Sequence, residues 1–375
     1  MKILFTGGGS GGHFYPIIAI AEAIHEAVHE RKLLEPELLY AAPDPYDREM
    51  LNANAIMFVP TAAGKMRRYF SFLNFLDYFK TGWGVVRSVV RIFFLYPDVV
   101  FGKGGYASFP SLFAARLLGI PVVIHESDAL PGRVNAWASG FAQKIAVAFQ
   151  DAEKYFPKDK VVFTGNPIRK AMLRPLTEGA YEFLKLERET PTILILGGSQ
   201  GAATLNETAL AALPQLIEKY QVVHQTGESN IDEVTARAGV ILGDSPLRGR
   251  YQPFGYLNDL SMRMGAGVAS LIISRAGSTI FEIAAWGLPS ILVPIPEPTS
   301  HDQMKNAFAY ARTGAATVIE QNNLTAHILA SEASRILESP QLAHTMSDAA
   351  KHFAHTDAAK TIANLLLDIA ISHEK

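Results

Sequence analysis

The sequence predicts an α/β protein of two Rossmann-like domains whose parallel sheets face a central cleft. Three observations carry this expectation. Short β-branched runs alternate with helical patterns along most of the chain, which is the rhythm of parallel βαβ units. A strand running straight into a glycine-rich turn and then a helix occurs twice, around residues 6–13 and 197–203. A chain of 375 residues also exceeds what one core comfortably holds, so two domains are expected.

The first series of strands is expected at 3–5, 38–41, 98–101, 122–125, 145–148 and 161–163. Its first strand enters Thr6-Gly-Gly-Gly-Ser-Gly-Gly-His13. Without Cβ atoms such a turn approaches a ligand closely, and its N–H groups, with the following helix N-terminus, offer an anion partial positive charge. A plain βα turn is the alternative, but five glycines carry an unfolded-state entropy that such a turn does not need. The strand at 98–101 ends in Gly-Lys-Gly-Gly-Tyr, a second backbone-rich loop suited to a pyrophosphate. The strand at 122–125 ends in His125-Glu-Ser-Asp128, groups that donate, accept or titrate where α/β sheets bind ligands. His125 by itself reads equally as a satisfied core histidine.

Residues 164–169, Thr-Gly-Asn-Pro-Ile-Arg, mark the boundary, giving domains of 1–165 and 166–356. The second series is expected at 192–196, 222–225, 271–273 and 291–293. Ser199 and Gln200 add a hydroxyl and an amide to its glycine turn, for a diphosphate or as an ordinary helix N-cap. Further on, Gly277 frees a turn before Ser278 and Thr279, and Glu282 follows one helical turn later, placed to chelate ribose hydroxyls or merely to partner the helix dipole. A last helix at 357–375 has apolar residues at helical spacing and can pack on either domain, the first included.

Composition removes several function classes. Hydrophobic content of 49% with 19% charged residues describes a folded globular chain. A net charge of −2 gives no electrostatic footprint for nucleic acid. The absence of cysteine excludes disulfides, thiolate metal sites and a cysteine nucleophile. No leader precedes the first strand and no run of about 18 uncharged apolar residues occurs, so neither a signal peptide nor a membrane span is expected. No D-x-D is present, and no metal and no cofactor is expected. Gly7-x-Gly9-x-x-Gly12 satisfies the dinucleotide fingerprint. The second strand, however, reads Leu-Leu-Tyr-Ala-Ala-Pro with Asp44 arriving late, which weighs against a nicotinamide oxidoreductase.

Residues 65–96 stand apart, with ten of the chain's 37 aromatics, six Lys/Arg and a single acid, Asp77. Tyr69, Phe72, Leu73, Leu76, Phe79 and Trp83 share a helical face, with Phe75 nearby. Lys65, Arg67, Arg68, Lys80, Arg87 and Arg91 supply cationic edges. That pattern suits a helix lying on an anionic membrane surface, and equally a core-facing helix with a solvated basic side.

Seven ordered motifs add a resemblance. The first glycine turn, Gly104-Gly-Tyr-Ala-Ser, Gly119-Ile-Pro-Val-Val-Ile-His-Glu126, Gly165-Asn-Pro-Ile-Arg169, Gly197-Gly-Ser-Gln-Gly201, Arg275-Ala-Gly with Thr279-Ile-Phe-Glu282, and Asp302-Gln-x-x-Asn-Ala307 resemble the MurG family of GT-B glycosyltransferases over almost the whole chain. The resemblance implies inverting, metal-independent transfer of GlcNAc from UDP-GlcNAc to the 4-hydroxyl of MurNAc in undecaprenyl-pyrophosphoryl-MurNAc-pentapeptide. It also implies a peripheral position on the cytoplasmic face of the cell membrane, against anionic lipid. It places the uracil by Leu257, the ribose on Glu282, the diphosphate on Ser199, Gln200, Arg169, Ser278 and Thr279, and the sugar hydroxyls on Gln303, with Asp128 in the donor set. Ser10, Gly11 and Gly12 join that set while their loop meets the acceptor pyrophosphate with Thr6, Gly9, Gly104, Gly105 and Tyr106. His13 is the implied base and Glu126 its competitor.

Three residues depart from the family pattern. Ser127-Asp128 stands for Gln-Asn, Phe109 for a glycine, which narrows the acceptor loop, and Asp302 for Gln or His. The competing readings are another GT-B UDP-sugar transferase, and a non-catalytic membrane-associated module that binds nucleotide sugar.

Overall fold

Two all-parallel sheets organise the chain. The computed structural model describes residues 1–64, 72–198, 202–296 and 302–374. One unit holds Met1–Lys170 together with His355–Lys375, and the other holds Ala171–Ala354.

The first sheet has seven strands, β1 (Lys2–Thr6), β2 (Glu37–Ala42), β3 (Ile56–Pro60), β4 (Val99–Gly102), β5 (Val122–Glu126), β6 (Lys144–Val147) and β7 (Val161–Phe163). Their order is β3-β2-β1-β4-β5-β6-β7. Helices α1 (Gly11–Arg31), α2 (Arg48–Ala53), α3 (Phe72–Leu95), α4 (Phe109–Leu118) and α5 (Arg133–Ala138) connect them. In the second unit come α6 (Ala180–Phe183), β8 (Thr192–Leu196), α7 (Ala203–Leu216), β9 (Gln221–Gln225), α8 (Ile231–Leu242), β10 (Tyr251–Phe254), α9 (Asp259–Val268), β11 (Ala269–Ser274), α10 (Thr279–Trp286), β12 (Ser290–Leu292), α11 (Gln303–Ala311), β13 (Ala316–Val318), α12 (Ala326–Leu337) and α13 (Pro340–Phe353). That sheet is ordered β10-β9-β8-β11-β12-β13.

The central strands carry near-continuous apolar runs because both faces are covered. Alternate residues of β1 divide between two cores. Ile3 and Phe5 meet α1, while Leu4 faces Leu112, Ala114 and Ala115 of α4. All three β1 residues are fully buried, and each contributes about 1.5–3 kcal/mol by leaving water.

Strand order reverses between β1 and β4 and again between β8 and β11. At such switch points the flanking connections leave on opposite faces and open a crevice at the strands' carboxyl ends. Thr6 is in register with Gly102, and Leu196 with Ser274. Each glycine turn therefore emerges beside a second loop of its own unit.

The terminal helix, α14 (Ala358–Glu374), lies on the first unit. Ile362, Leu366, Leu367 and Ile369 join the α1 core, and Arg31–Asp368 (2.7 Å) and Lys360–Glu30 (2.9 Å) flank the contact. Three strands escaped the sequence reading: β3, β10 and β13. All are sheet edges; two contain proline and the third has three residues.

Candidate functional site

In the first unit, local backbone geometry brings three strand ends together. Gly9 has φ +91°, and a Cβ there would fall 3.1 Å from Tyr106 Cε1. Gly105 has φ +78°, and its Cβ would meet the Gly8 carbonyl at 3.1 Å and His13 Cε1 at 3.4 Å. The two turns approach this closely because Gly9 and Gly105 carry no Cβ at the contact. Gly11 is equally confined, its added Cβ lying 2.9 Å from both Tyr15 and Tyr46. Beneath them the Tyr40 hydroxyl donates to the Gly7 carbonyl at 2.9 Å.

Ser10 occupies the N-cap of α1 in extended backbone but does not cap it; its hydroxyl pairs with His13 Nδ1 at 2.9 Å. No carboxylate lies in the first helical turn, so the positive end of the α1 dipole at Gly11 and Gly12 stays uncompensated by side chains. With Nδ1 held by Ser10, Nε2 is the nitrogen of His13 turned toward Gly105. Burial, and then the positive charge of Lys103, push His13 down to about 4. The imidazole is therefore neutral at physiological pH and able to accept a proton.

Glu126 is differently placed. It is 3% exposed, and its carboxylate accepts from Asp128 N (3.0 Å), Gly132 N (2.9 Å) and Asn135 Nδ2 (2.9 Å). Burial pushes this acid up, while those three donors and Lys103 pull it back. A carboxylate so engaged fixes the 126–135 loop. Asn135 also donates to the His125 carbonyl (3.0 Å) and crowds Gly104, where an added Cβ would sit 2.9 Å from its amide nitrogen. His125 is fully buried with Nε2 on the Gly165 carbonyl (3.0 Å), the core histidine of the two sequence readings, while its Nδ1 has no hydrogen-bond partner among the described residues.

Several expected contacts have other partners here. The Thr6 hydroxyl, fully buried, donates to the Ala41 carbonyl at 2.9 Å and fastens β1 to β2, so it does not face a ligand. Arg169 belongs to the first unit, with its guanidinium over the Tyr15 ring at 4.3 Å and Nη1 beside Met50 Sδ. The Phe109 ring turns to Trp137 at 5.0 Å within a cluster that includes Phe113 and Phe141. Asp128 is half-buried, its N–H held by Glu126.

Lys103 and Asn135 were not singled out by the sequence reading. Lys103 is 1% exposed, and its ammonium has no hydrogen-bond partner among the described residues. Its place in a Gly-Lys-Gly-Gly loop after a buried strand is the signal that could have found it, since it sets a cation inside a backbone-rich loop suited to a pyrophosphate. Nothing in the residues around Asn135 marks it.

In the second unit, Ser278 and Thr279 start α10 beside the end of β8, and a Cβ at Gly277 would meet nothing within 4 Å. Ser278 makes no side-chain cap, and Glu282 lies half-buried in the first turn of α10. Leu257 is buried with its N–H on Gln225 Oε1 at 3.1 Å, and Gln303 Oε1 accepts from Ile295 N at 3.1 Å. Ser199 and Gln200 lie outside the described residues, as do Arg67 and Arg68. Phe72, Phe75 and Phe79 lie on α3 where side chains are not described.

The described part of α3 packs on α4 through its Ile92 side, and Gly84 admits the Ala62 carbonyl where any side chain would collide. Its outer face shows Trp83 (66% exposed), Val86, Val90, Phe93 and Phe94 (80%), with Arg87 exposed among them and Arg91 donating to the Pro60 carbonyl. Among the described residues no helix is long and apolar enough to cross a membrane, and no group of three His, Cys, Asp or Glu is placed to hold a metal ion.

Comparison with known proteins accounts for both units. The Glycosyltransferase family 28 N-terminal domain matches residues 3–147, and the Glycosyltransferase family 28 C-terminal domain matches 192–362. A Bacillus cereus UDP-N-acetylglucosamine--N-acetylmuramyl-(pentapeptide) pyrophosphoryl-undecaprenol N-acetylglucosamine transferase 2 is 36% identical, over 96% of this chain and 97% of its own length. The chain belongs to glycosyltransferase family 28. A family 28 transferase of the same name from Halothermothrix orenii is 34% identical over 99% of both chains. The crystal structure of Acinetobacter baumannii MurG superposes with a TM-score of 0.73 at 29% identity, covering 98% of this chain and 99% of that one. A UDP-GlcNAc 2-epimerase from Neisseria meningitidis, at 16% identity and a TM-score of 0.68 over 98% and 100% of the two chains, shares the fold alone.

Proposed function

We propose that this chain transfers GlcNAc from UDP-GlcNAc, with inversion, to the 4-hydroxyl of MurNAc in undecaprenyl-pyrophosphoryl-MurNAc-pentapeptide. The observation that carries the reading is the pair of switch-point turns joined to near full-length similarity with transferases of that name. On this reading the acceptor oxygen attacks the anomeric carbon, the bond from that carbon to the UDP oxygen breaks, and the acceptor proton passes to His13 Nε2. Glu126, with its oxygens held by three N–H donors, serves as scaffold and His13 as base.

The donor belongs to the second unit. Ser278, Thr279 and the N-terminus of α10 meet the diphosphate as negative charge grows on the leaving group. Glu282 takes the ribose, the uracil sits by Leu257, and Gln303 takes the sugar hydroxyls, with Ser199 and Gln200 from the second glycine turn. The acceptor diphosphate lies on the first turn, at Gly9–Gly12, and on Gly104 and Gly105. A nicotinamide reading loses further ground, because β2 ends at Tyr-Ala-Ala42 with no acid at its carboxyl end.

The outer face of α3 suits the membrane surface that carries such an acceptor, with Trp83, Phe93 and Phe94 entering the interface and Arg87 meeting anionic headgroups. Flotation with vesicles tests this: Trp83→Ser with Phe94→Ser should abolish binding, and unchanged binding would remove α3 as the anchor. The activity itself is tested by turnover with UDP-GlcNAc and a defined lipid-linked MurNAc-peptide. UDP release and a β-linked disaccharide are expected, and thermal stabilisation by UDP-GlcNAc should accompany them. Absence of both effects would overturn the assignment, while stabilisation without turnover would favour a binding module.

A further inference from the structure

We propose that Lys103 is the fixed cation of the acceptor's anion cradle, a positioning residue whose charge, sealed beneath the two glycine turns, selects a diphosphate-bearing acceptor. The inference rests on the reading that the first unit holds that acceptor.

A lysine normally threads its stem along apolar surface and keeps its ammonium in water. Lys103 does the reverse. It ranks among the largest fully buried side chains, and its nitrogen has no hydrogen-bond partner among the described residues. Its backbone N–H donates to the Thr6 carbonyl at 2.8 Å, and a Cβ added at Gly7 would stand 3.1 Å from its own Cβ. The side chain therefore starts directly under the first turn and beside Gly104 and Gly105.

The charged and titratable groups that face it are His13 from the first turn, His125 and Glu126 from β5, and Asp128 beyond β5. Glu126, the natural partner, has committed its oxygens to three N–H donors. Burial pushes Lys103 down to about 8, with Glu126 and Asp128 restoring part of the loss, so the ammonium keeps its charge at neutral pH.

An unpaired buried charge destabilises a fold, and an apolar residue of similar shape is usually at least as stable. A site that retains one is consistent with a use for the field. Backbone N–H groups and the α1 dipole present partial charges of about half a unit. Lys103 adds a whole one in a water-poor setting, where it acts over several ångströms without touching the ligand. A diphosphate gains more from it than a monophosphate.

The test compares the full-length wild type with Lys103→Met and Lys103→Gln. Binding of a short prenyl diphosphate and its monophosphate is measured by calorimetry with the nucleotide site saturated by UDP. The wild type should favour the diphosphate by about 10- to 100-fold, and the preference should collapse in both variants. In turnover, the acceptor KM should rise by a similar factor while the UDP-GlcNAc KM stays within about twofold. The wild-type acceptor KM should also rise above about pH 8, and that limb should vanish in Lys103→Met. Lys103→Met should melt at or above the wild-type temperature.

An unchanged diphosphate preference in folded variants overturns the proposal. So does a Lys103→Met protein that melts well below wild type, for the lysine would then be a structural element. Failure of the wild type to turn over lipid-linked acceptor would instead count against the transferase reading, and the prenyl diphosphate arm reads the cradle independently of it.

Discussion

Replacing Glu126 by glutamine separates scaffold from base. The carboxylate serves one donor on Oε1 and two on Oε2. In the least damaging orientation the new amide nitrogen faces Asp128 N, setting donor against donor. A lost bond to a charged group costs about 1.5–3 kcal/mol, and the N–H left behind is buried. Lys103 also loses the strongest of its compensating charges, so its ammonium is pushed further from the ordinary lysine range. Together these effects should lower the stability of the first unit by about 2–5 kcal/mol. The unit can be watched selectively: of the three tryptophans only Trp286 lies in the second unit, so a Trp286→Phe background leaves Trp83 and Trp137 as reporters. Urea unfolding should show the loss, and kcat of the folded fraction should stay within about tenfold of wild type, below the 10²–10⁴-fold that general-base catalysis supplies. Full stability combined with a kcat loss above 100-fold would refute the scaffold argument and make Glu126 the base.

Three further outcomes follow from the same geometry. His13→Gln should lower kcat by about 10²–10⁴-fold, and because the base is held near 4, wild-type kcat/KM should stay level from about pH 7.5 to about pH 5; a limb centred near 6.5 would contradict this. Gly105→Ala must adopt φ +78°, ψ 164°, a region almost reserved for glycine, and should cost about 1–3 kcal/mol in urea unfolding while displacing His13; a neutral result would mean the turn can relax. In the second unit His224 is fully buried between Tyr251 Oη (2.9 Å) and Asn206 Oδ1 (3.1 Å) and pushed down to about 3 by burial. The unfolded chain binds a proton there that the native state refuses, so stability should fall with decreasing pH between about 6.5 and 3, by up to about 1.4 kcal/mol per pH unit, and His224→Asn should flatten that slope by about one proton.

The fold was legible wherever a strand is central. The runs at 3–5, 99–101, 193–196 and 271–273 are apolar on consecutive residues because helices cover both faces. Edge strands escaped because one side of their ladder is unpaired and local rules relax. Pro60 ends β3, Pro253 sits inside β10, and β13 has only Ala316, Thr317 and Val318 to declare itself. The direction of the last helix was equally hidden. Its apolar stripe says that it packs, while the choice of α1 depends on Ile362, Leu366 and Ile369 meeting a surface assembled some 330 residues earlier in the chain.

The site divides along the same line between local and tertiary causes. The glycine turn was readable because a backbone at positive φ admits little else, and His13 stands within one helical turn of it. Thr6 and Arg169 carry contacts that only the tertiary structure shows: the Thr6 hydroxyl donates to the Ala41 carbonyl and the Arg169 guanidinium lies over the Tyr15 ring. Glu126 shows the same tertiary layer, for the sequence shows a carboxylate at a strand end but not that Asp128, Gly132 and Asn135 surround it. Lys103 stood in the open in the Gly-Lys-Gly-Gly loop, but a lysine there is presumed solvated. Only when β1, β4 and β5 close over it does its charge become the least compensated group in the first unit's site, and that is why it, more than the glycines around it, should distinguish one anion from another.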